Sequence, residues 1–479
     1  MSPVIAVMIV YLGLLAGFAI WSRRETQTLK GFYLAGKKLP FWVVAFSTNA
    51  TGESGWLLLG LTGMGYAVGM QAYWVVLGEV IGIALSWWVV SRRLKRMADD
   101  SDAITVPDVL AAKFADRWHL VRGVAVLIIL TMVTVYVTAQ ISASGKAFNG
   151  FVGIPYEYGV VGGSLIIIAY TFIGGHKAVS YTDVLQGVLM LLGLIFVPWV
   201  AIEAAGGWQS IMSNLAAQDA ALVDVNAPLK NGISGWVAVA SFVAIGLPFL
   251  GVPQLLVRYM STKDDEELKK ARWVSVVVLF IFTFGAVTAG IAGRALFPGL
   301  DDAEQIFPVL SNQLFSPLIA GVLLVIVLSA IMSTADSLLL LASSAVVRDT
   351  IQQILGSKKS DHQLAVYGKI VTVIIGVIGI AVALPEVKFI FGFVLYAWSG
   401  LGAAFGPAMV CLLYYKKTTW MGVLAGMIAG FTASIVWVAH FKTDYYGLYE
   451  AIPGFTAGFI ATYVVSRLTQ KQSAAEDNG

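Results

Sequence analysis

The sequence predicts an all-α, polytopic membrane protein of about thirteen transmembrane helices. Three observations predict it. Of 479 residues, 58% are hydrophobic and only 12% are charged, with a mean hydropathy of +0.81, far too apolar for a soluble chain. Apolar runs of the roughly 20 residues that cross a bilayer recur, centred near residues 12, 53, 80, 135, 165, 192, 247, 283, 330, 375, 401, 429 and 457. Thirteen crossings put the chain's ends on opposite sides. With the N-terminus outside and the C-terminus cytoplasmic, 26 of the 31 Lys and Arg fall to the inner side and 5 to the outer, as the positive-inside rule requires.

Taken in order, the first run (Val4 to Trp21) has no basic stretch before it and ends in Arg23-Arg24. It reads as a spanning helix and not as a signal peptide. The second run is interrupted. Between Ala45 and Gly60 it holds Ser47, Thr48, Asn49, Thr51, Gly52, Glu53, Ser54 and Gly55. Such a stretch is tolerated at membrane depth only where it is buried in protein or lines a cavity. A helix broken there frees carbonyls for a cation and amides for an anionic group, which points to a solute carrier. A second interruption lies at Gly246-Leu-Pro248-Phe-Leu-Gly251-Val-Pro253, where proline removes backbone donors and clashes with the preceding turn. Five crossings separate the two breaks. An odd number reverses direction, so two five-helix units would lie inverted, the arrangement that marks a transporter's binding site.

The later run Leu328 to Ser337 places Ser333, Asp336 and Ser337 on one face, one helical turn apart. Hydroxyls and freed carbonyls suit Na⁺, although Ser and Thr in spanning helices also bond their own i−4 carbonyls. Acids at membrane depth are functional candidates because an unpaired one is costly to bury. Glu53, Glu79 and Asp336 qualify. Asp183, near the inner end of its helix, is either such a carboxylate or a helix N-terminal charge. Lys146, near the outer end of its helix, either snorkels to the surface or pairs with an acid, and snorkelling is the reading preferred.

Other signals carry less. The polar stretch 261–270 reads as a short helical cap, and the tail after Ser466 as disordered. Gly400-Leu-Gly402-Ala-Ala-Phe-Gly406 looks like a dinucleotide motif but sits in an apolar span, where small residues serve packing. Asn49-Ala-Thr51 fits a glycosylation sequon, yet at membrane depth. The single cysteine, Cys411, excludes an internal disulfide, and four scattered histidines argue against a His-built metal centre. With no triad, P-loop or metal-ligand spacing, the chain does not read as an enzyme. Its expected partners are a small-molecule substrate and the lipid bilayer, with no nucleic acid and no obligate protein partner. A channel or membrane sensor is the alternative from another class.

The sequence resembles the sodium/solute symporter family over nearly its whole length, and its sodium/proline branch in particular. The resemblance rests on Ser54-Gly-Trp-Leu-Leu-Leu-Gly60, Tyr170-Thr-Phe-Ile-Gly-Gly175, Val179-Ser-Tyr-Thr-Asp183, Met332-Ser-Thr334, Tyr396-Ala-Trp398, Gly402-Ala-Ala-Phe-Gly-Pro407 and Gly447-Leu-Tyr-Glu-Ala-Ile-Pro-Gly-Phe455. It implies one transmembrane domain over 1–479, with a LeuT-like five-plus-five inverted-repeat core. The N-terminal helix and inner loop would occupy 1–39, the repeats 40–206 and 234–414, two C-terminal helices 418–468, and a disordered tail 469–479. It also implies Na⁺ as the co-transported ion, bound by Ala50, Glu53, Ala330, Ser333 and Thr334. Asp183, with Asp336 and Ser337, would form a second cation site. Ser54, Gly55, Trp56, Ile245, Phe249 and Pro253 would contact substrate, and Glu53 and Glu79 are candidate coupling carboxylates.

Two departures matter. Gly52 stands where proline symporters usually carry Asp, and Ile245 and Phe249 replace a Trp and Tyr pair. The resemblance therefore implies Na⁺-driven uptake across a bacterial inner membrane of a small zwitterion, proline or a relative. Na⁺- or H⁺-coupled uptake of another amino acid or small organic solute remains the alternative.

Overall fold

A computed structural model describes residues 3–22, 27–114, 119–228, 234–385, 390–442 and 447–476. Arg23, Arg24, Arg117, Lys230 and Lys388, used above to orient the chain, lie outside them. Among the described residues there is no β-strand, only one isolated bridge between Leu39 and Thr262. Nine helices there are long and apolar enough to cross a bilayer. A tenth span is the bent pair Gly235–Leu250 and Pro253–Ser261, which turns through 44°, and Ala6–Ser22 and Tyr156–Ala169 are shorter apolar helices.

The helix Pro317–Ser344 is the axis of the bundle. Every residue from Leu323 to Ser344 is buried, as expected of a helix that is apolar nearly all round and carries its few polar groups inward. Around it pack Tyr156–Ala204, Leu120–Val152 and the first broken helix, Phe41–Gly55.

The first break is sharper than the composition implied. The helix stays regular through Ser47, Thr51 and Gly52, and one residue, Ser54 (φ 54°, ψ −174°), leaves helical geometry. That region is natural only for glycine and costs about 1–3 kcal/mol for another residue. The chain then continues through a wide turn, Trp56–Leu61, into Thr62–Val68. Gly175 adopts nearly the same dihedrals (φ 60°, ψ −174°) and divides Tyr156–Ala204.

The second break is longer. Gly235–Val243 tightens into a 3₁₀ segment, Ala244–Leu250, that contains Pro248. The helix restarts at Pro253, the first-turn position where proline's missing N–H and fixed φ are harmless. The 3₁₀ segment lies hard against Tyr73–Leu85, where a Cβ on Gly82 would collide with the Gly246 backbone.

The start of the first broken helix and the end of the second are tied together. Leu39 N–H donates to Ser261 O and Lys263 N–H to Leu39 O, while the free amide of Phe41 donates to Glu267 Oε2 at 2.7 Å. The polar stretch 261–270 is no separate cap, since Asp264 accepts from the amides of Glu266 and Glu267 and starts the helix Asp265–Leu296. The last helix, Ala451–Glu476, runs through eight residues of the expected disordered tail. Gln, Lys and Ala there are good helix formers, and 477–479 lie outside the described residues.

Candidate functional site

The polar interior lies where Phe41–Gly55, the second half of Tyr156–Ala204, Pro253–Ser261 and Pro317–Ser344 meet. On Pro317–Ser344, Ser333 Oγ is 2.8 Å from Ala50 O and 3.1 Å from Ala330 O. Thr334 Oγ1 is 2.8 Å from Thr51 O and 3.5 Å from Ala50 O. Two hydroxyls and three carbonyls are thus linked through Ala50 O into one network, all from fully buried residues. These are hard oxygen donors of the type that alkali cations take. Ala50, Ala330, Ser333 and Thr334 come together, and Thr51 joins them although the sequence did not single it out. Glu53 stands apart, its carbonyl accepting instead from the Trp56 amide at the break. Its carboxylate is fully buried, and neither oxygen has a hydrogen-bond partner.

One turn nearer the start of Phe41–Gly55 lies a second cluster. Ser47 Oγ donates to Asp183 Oδ2 at 2.6 Å. Thr51 Oγ1 lies 3.2 Å from Ser337 Oγ, and Ser337 Oγ is 3.2 Å from Asp336 Oδ1. Into this cluster reaches the guanidinium of Arg258, 1% exposed. Its Nη2 meets Asp183 Oδ2 at 3.2 Å, Thr51 Oγ1 at 2.6 Å and Ser337 Oγ at 2.5 Å. Its Nε meets Ser47 Oγ at 3.0 Å, and Nη1 donates to Gln254 O at 2.6 Å. Arg258 was counted above among inner-loop charges. Its helix turns it inward instead, and its place two residues before the polar Met260-Ser-Thr-Lys run gave no hint of that.

Beside the breaks a narrow cavity is lined by Gly52, Trp56, Glu79, Tyr136, Ile245, Val394, Leu395 and Trp398. It has room for about one water molecule, so an amino acid enters only when its walls part. Trp56 and Ile245 are the candidate substrate residues that reach it. Phe249 stands behind, its ring 5.1 Å from that of Trp398, and Trp398 Nε1 donates to Ile245 O at 3.1 Å. Pro253 opens the next helix. Gly55 is wedged against Ile331, where a Cβ would not fit, and its amide donates to Gln140 Oε1 at 2.9 Å. Ser54 Oγ accepts from the Trp56 amide at 3.1 Å. Glu79 is 3% exposed, with Oε2 unpartnered beside the cavity. Tyr136 escaped the sequence reading because an aromatic residue in an apolar run looks like ordinary core, and Trp398 was singled out only as part of the Tyr396-Ala-Trp398 motif, not as a cavity residue.

For Lys146 the less favoured reading holds, and the discounted sequon at Asn49 stays discounted. Lys146 does not snorkel. It is 3% exposed and pairs with Glu304 Oε2 at 2.8 Å and Asp302 Oδ2 at 3.0 Å, because the 300–305 segment folds back over its helix end. Asn49 is fully buried and exchanges hydrogen bonds with Ser275 at 2.8 and 2.6 Å, so its sequon is unavailable to an enzyme.

The fold and this polar interior have known counterparts. Residues 32–430 match the sodium:solute symporter family. A sodium/proline symporter of Staphylococcus aureus is 35% identical over 478 residues, covering 97% of this chain and 92% of that protein. Among solved structures, the substrate-bound outward-open state of a Na⁺-coupled sialic acid symporter superposes with a TM-score of 0.81 at 20% identity, over 98% of both chains. A nucleobase-cation-symport-1 family transporter in a closed conformation superposes with 0.58 at 13% identity, over 93% of this chain and 95% of the other. With the match running through both broken helices and the oxygens gathered around Ser333, the chain belongs to the sodium:solute symporter family, whose members are transporters and not enzymes.

Proposed function

We propose that this Na⁺-coupled symporter takes up L-proline, or a small zwitterion closely related to it, across a bacterial inner membrane by alternating access. The observation that carries the sodium assignment is the convergence of Ala50 O, Thr51 O, Ala330 O, Ser333 Oγ and Thr334 Oγ1 between the first broken helix and Pro317–Ser344. A Na⁺ ion there replaces the two hydroxyl protons as the partner of the carbonyls. It joins the broken helix to the central helix and favours the outward-open arrangement. The Glu53 carbonyl enters as a ligand if the Ser54 turn relaxes. Asp183, Asp336 and Ser337 form the second cationic site of the same interior.

Proline as substrate is supported by the 35% identity to the staphylococcal sodium/proline symporter. The cavity suits an ammonium group on a compact apolar body, with the Glu79 carboxylate on one side and the Trp56 and Trp398 indoles and Ile245 on the others. Ser54, Gly55, Phe249 and Pro253 support this wall from behind. The full topology we infer has thirteen crossings. Phe41–Asp100 contributes two, separated at the left-handed Gly69, and the bent pair and the two short apolar helices complete the number. One helix precedes a five-plus-five inverted repeat and two follow it, with the N-terminus outside and the C-terminus cytoplasmic.

One Na⁺ moving inward through 100 mV releases about 2.3 kcal/mol, and a tenfold concentration gradient adds about 1.4 kcal/mol. Together they sustain accumulation on the order of several-hundred-fold. Uptake of radiolabelled L-proline into proteoliposomes under a Na⁺ gradient tests the proposal, with K⁺ as control. Counterflow separates a carrier from a channel, since only a carrier exchanges internal for external substrate. No Na⁺ stimulation with proline or with any of a panel of small zwitterions would reject it. The unpartnered carboxylates of Glu53 and Glu79 favour one second reading, that a proton gradient contributes. Uptake driven by an inward proton gradient without Na⁺ would establish it.

A further inference from the structure

Arg272, far from the polar interior, is held by aromatic rings and by no carboxylate. Its guanidinium carbon lies 4.8 Å from the centre of the Trp88 ring and 5.9 Å from that of Trp273. The two indoles meet edge to face at 5.0 Å and are 42% and 60% exposed. Arg272 Nε is buried without a hydrogen-bond partner, and among the described residues no acid pairs with the side chain. Stacking on an indole steadies a guanidinium without using its N–H groups, so the donors that match a phosphate two at a time remain unspent.

Two helices build this place. Trp88 lies on Ser86–Ser91, which continues Tyr73–Leu85 and leads into Arg92–Asp100. Trp273 lies on Asp265–Leu296. Each helix repeats one order of chemistry along its accessible strip: Leu85, Trp88 and Arg92 on the first, Val277, Trp273 and Lys269 on the second. Apolar, aromatic, basic is the order in which a bilayer passes from acyl chain to headgroup, with indoles at the boundary.

The charges along this seam do not balance. Arg92 and Arg96 share a single carboxylate, Asp265, at 2.8 and 2.7 Å. Lys269 pairs with Glu266 at 2.5 Å, and Lys270 with Glu267 at 3.5 Å. Two cations on one acid and an unpaired Arg272 leave two unmatched positive charges. A ligand for the seam must therefore be anionic. The apolar strip beyond the indoles asks that it carry hydrocarbon as well, which a free anion does not.

We propose that the seam between these two helices, centred on Arg272, Trp88 and Trp273, binds the phosphate of an anionic phospholipid. Basic pockets between spanning helices take lipid headgroups by this chemistry. The lipid's phosphate meets the Arg272 donors, and its chains lie along the strip that begins at Leu85 and Val277. The site requires only that the chain is embedded in a membrane, and is independent of which solute it carries.

The experiment titrates the purified, detergent-solubilised full chain with phosphatidylglycerol, phosphatidylcholine or inorganic phosphate. Native mass spectrometry reads bound lipid, and a melting curve reads stabilisation. Wild type is expected to bind phosphatidylglycerol more tightly than phosphatidylcholine and to show no stabilisation by phosphate alone. Arg272→Gln removes one charge from a surface position and is expected to weaken phosphatidylglycerol binding about fivefold, the effect of one basic residue near an anionic headgroup. Lys358→Gln removes an equal charge from another loop and is expected to bind as wild type does. Phosphatidylglycerol binding that survives Arg272→Gln unchanged overturns the proposal. So does an equal loss in Lys358→Gln, because diffuse charge then suffices. Stabilisation by inorganic phosphate as strong as that by phosphatidylglycerol replaces the lipid site with a free-anion site and overturns it too. Should Arg272→Gln fail to yield monodisperse protein, Trp88→Leu, which removes the stacking face, decides by the same comparison.

Discussion

Replacing Ser333 by alanine removes one of the five oxygens that converge between the first broken helix and the central helix, and leaves the others in place. With the ion bound, the lost ligand is an interaction with a charge, worth about 1.5–3 kcal/mol. Without it, Ser333 loses a neutral hydrogen bond to Ala50 O or Ala330 O, worth about 1 kcal/mol. Ala50 O keeps the longer 3.5 Å contact from Thr334, so its desolvation is only partly exposed. The difference, roughly 0.5–2 kcal/mol, raises the Na⁺ concentration for half-maximal uptake about 2- to 30-fold. Thr334→Ala should behave alike, because its 2.8 Å bond to Thr51 O is equivalent, and Thr334→Ser, which keeps the hydroxyl, should stay close to wild type. The assay is initial-rate proline uptake into proteoliposomes against external Na⁺ at fixed ionic strength, with the substrate KM measured separately at saturating Na⁺. The KM should move far less than the Na⁺ dependence. Unchanged Na⁺ activation in both alanine variants would refute the assignment. So would a loss confined to substrate affinity.

Glu53→Gln keeps the size and the backbone carbonyl of Glu53 but removes its ionisable, unpartnered carboxyl group. It should abolish most transport while surface biotinylation shows normal membrane insertion, and normal uptake with unchanged Na⁺ and pH dependence would reduce Glu53 to a bystander. Ser54→Gly should be better tolerated than Ser54→Ala in a thermal-shift assay, because glycine relieves about 1–3 kcal/mol of backbone strain whereas alanine keeps the strain and loses the hydroxyl. A more stable alanine variant would contradict the Ser54 geometry. In a background lacking Cys411, cysteine at Asp224 should react with an impermeant thiol reagent from outside intact cells. Cysteines at Lys263 and Lys358 should react only after the membrane is opened, and the reverse pattern would overturn the thirteen-crossing topology.

Residue patterns local in the chain carried much of this molecule. Runs of apolar residues of bilayer length mark helices because lipid leaves every backbone polar group to be satisfied internally. Glycine, proline and hydroxyl residues clustered in such runs, at 47–55 and 246–253, mark where the helix cannot remain regular. Ser333, Asp336 and Ser337 share a face by helical spacing alone. The family resemblance then related Ala50 and Ala330 to Ser333 and Thr334, which helix geometry within one segment could not do.

What only the tertiary structure decided concerns pairings across hundreds of residues. Thr51 and Ser337 face each other 3.2 Å apart at a separation of 286 in sequence, and Arg258 reaches Ser47 across 211. No local pattern distinguishes an arginine at a helix's inner end that points to water from one that turns under two other helices. Lys146 could snorkel or pair, and the fold of the 300–305 segment over its helix end chose pairing. The break in the first helix fell on Ser54 and not on either nearby glycine. Gly55 is required by contact with Ile331, while the space beside Gly52 borders Phe249 and Leu255 at ordinary contact distance. By itself the sequence determined where helices form and where they break. The tertiary structure decided which buried charges meet, because a charge in a low-dielectric interior is stable only beside a partner and the partner comes from elsewhere in the chain.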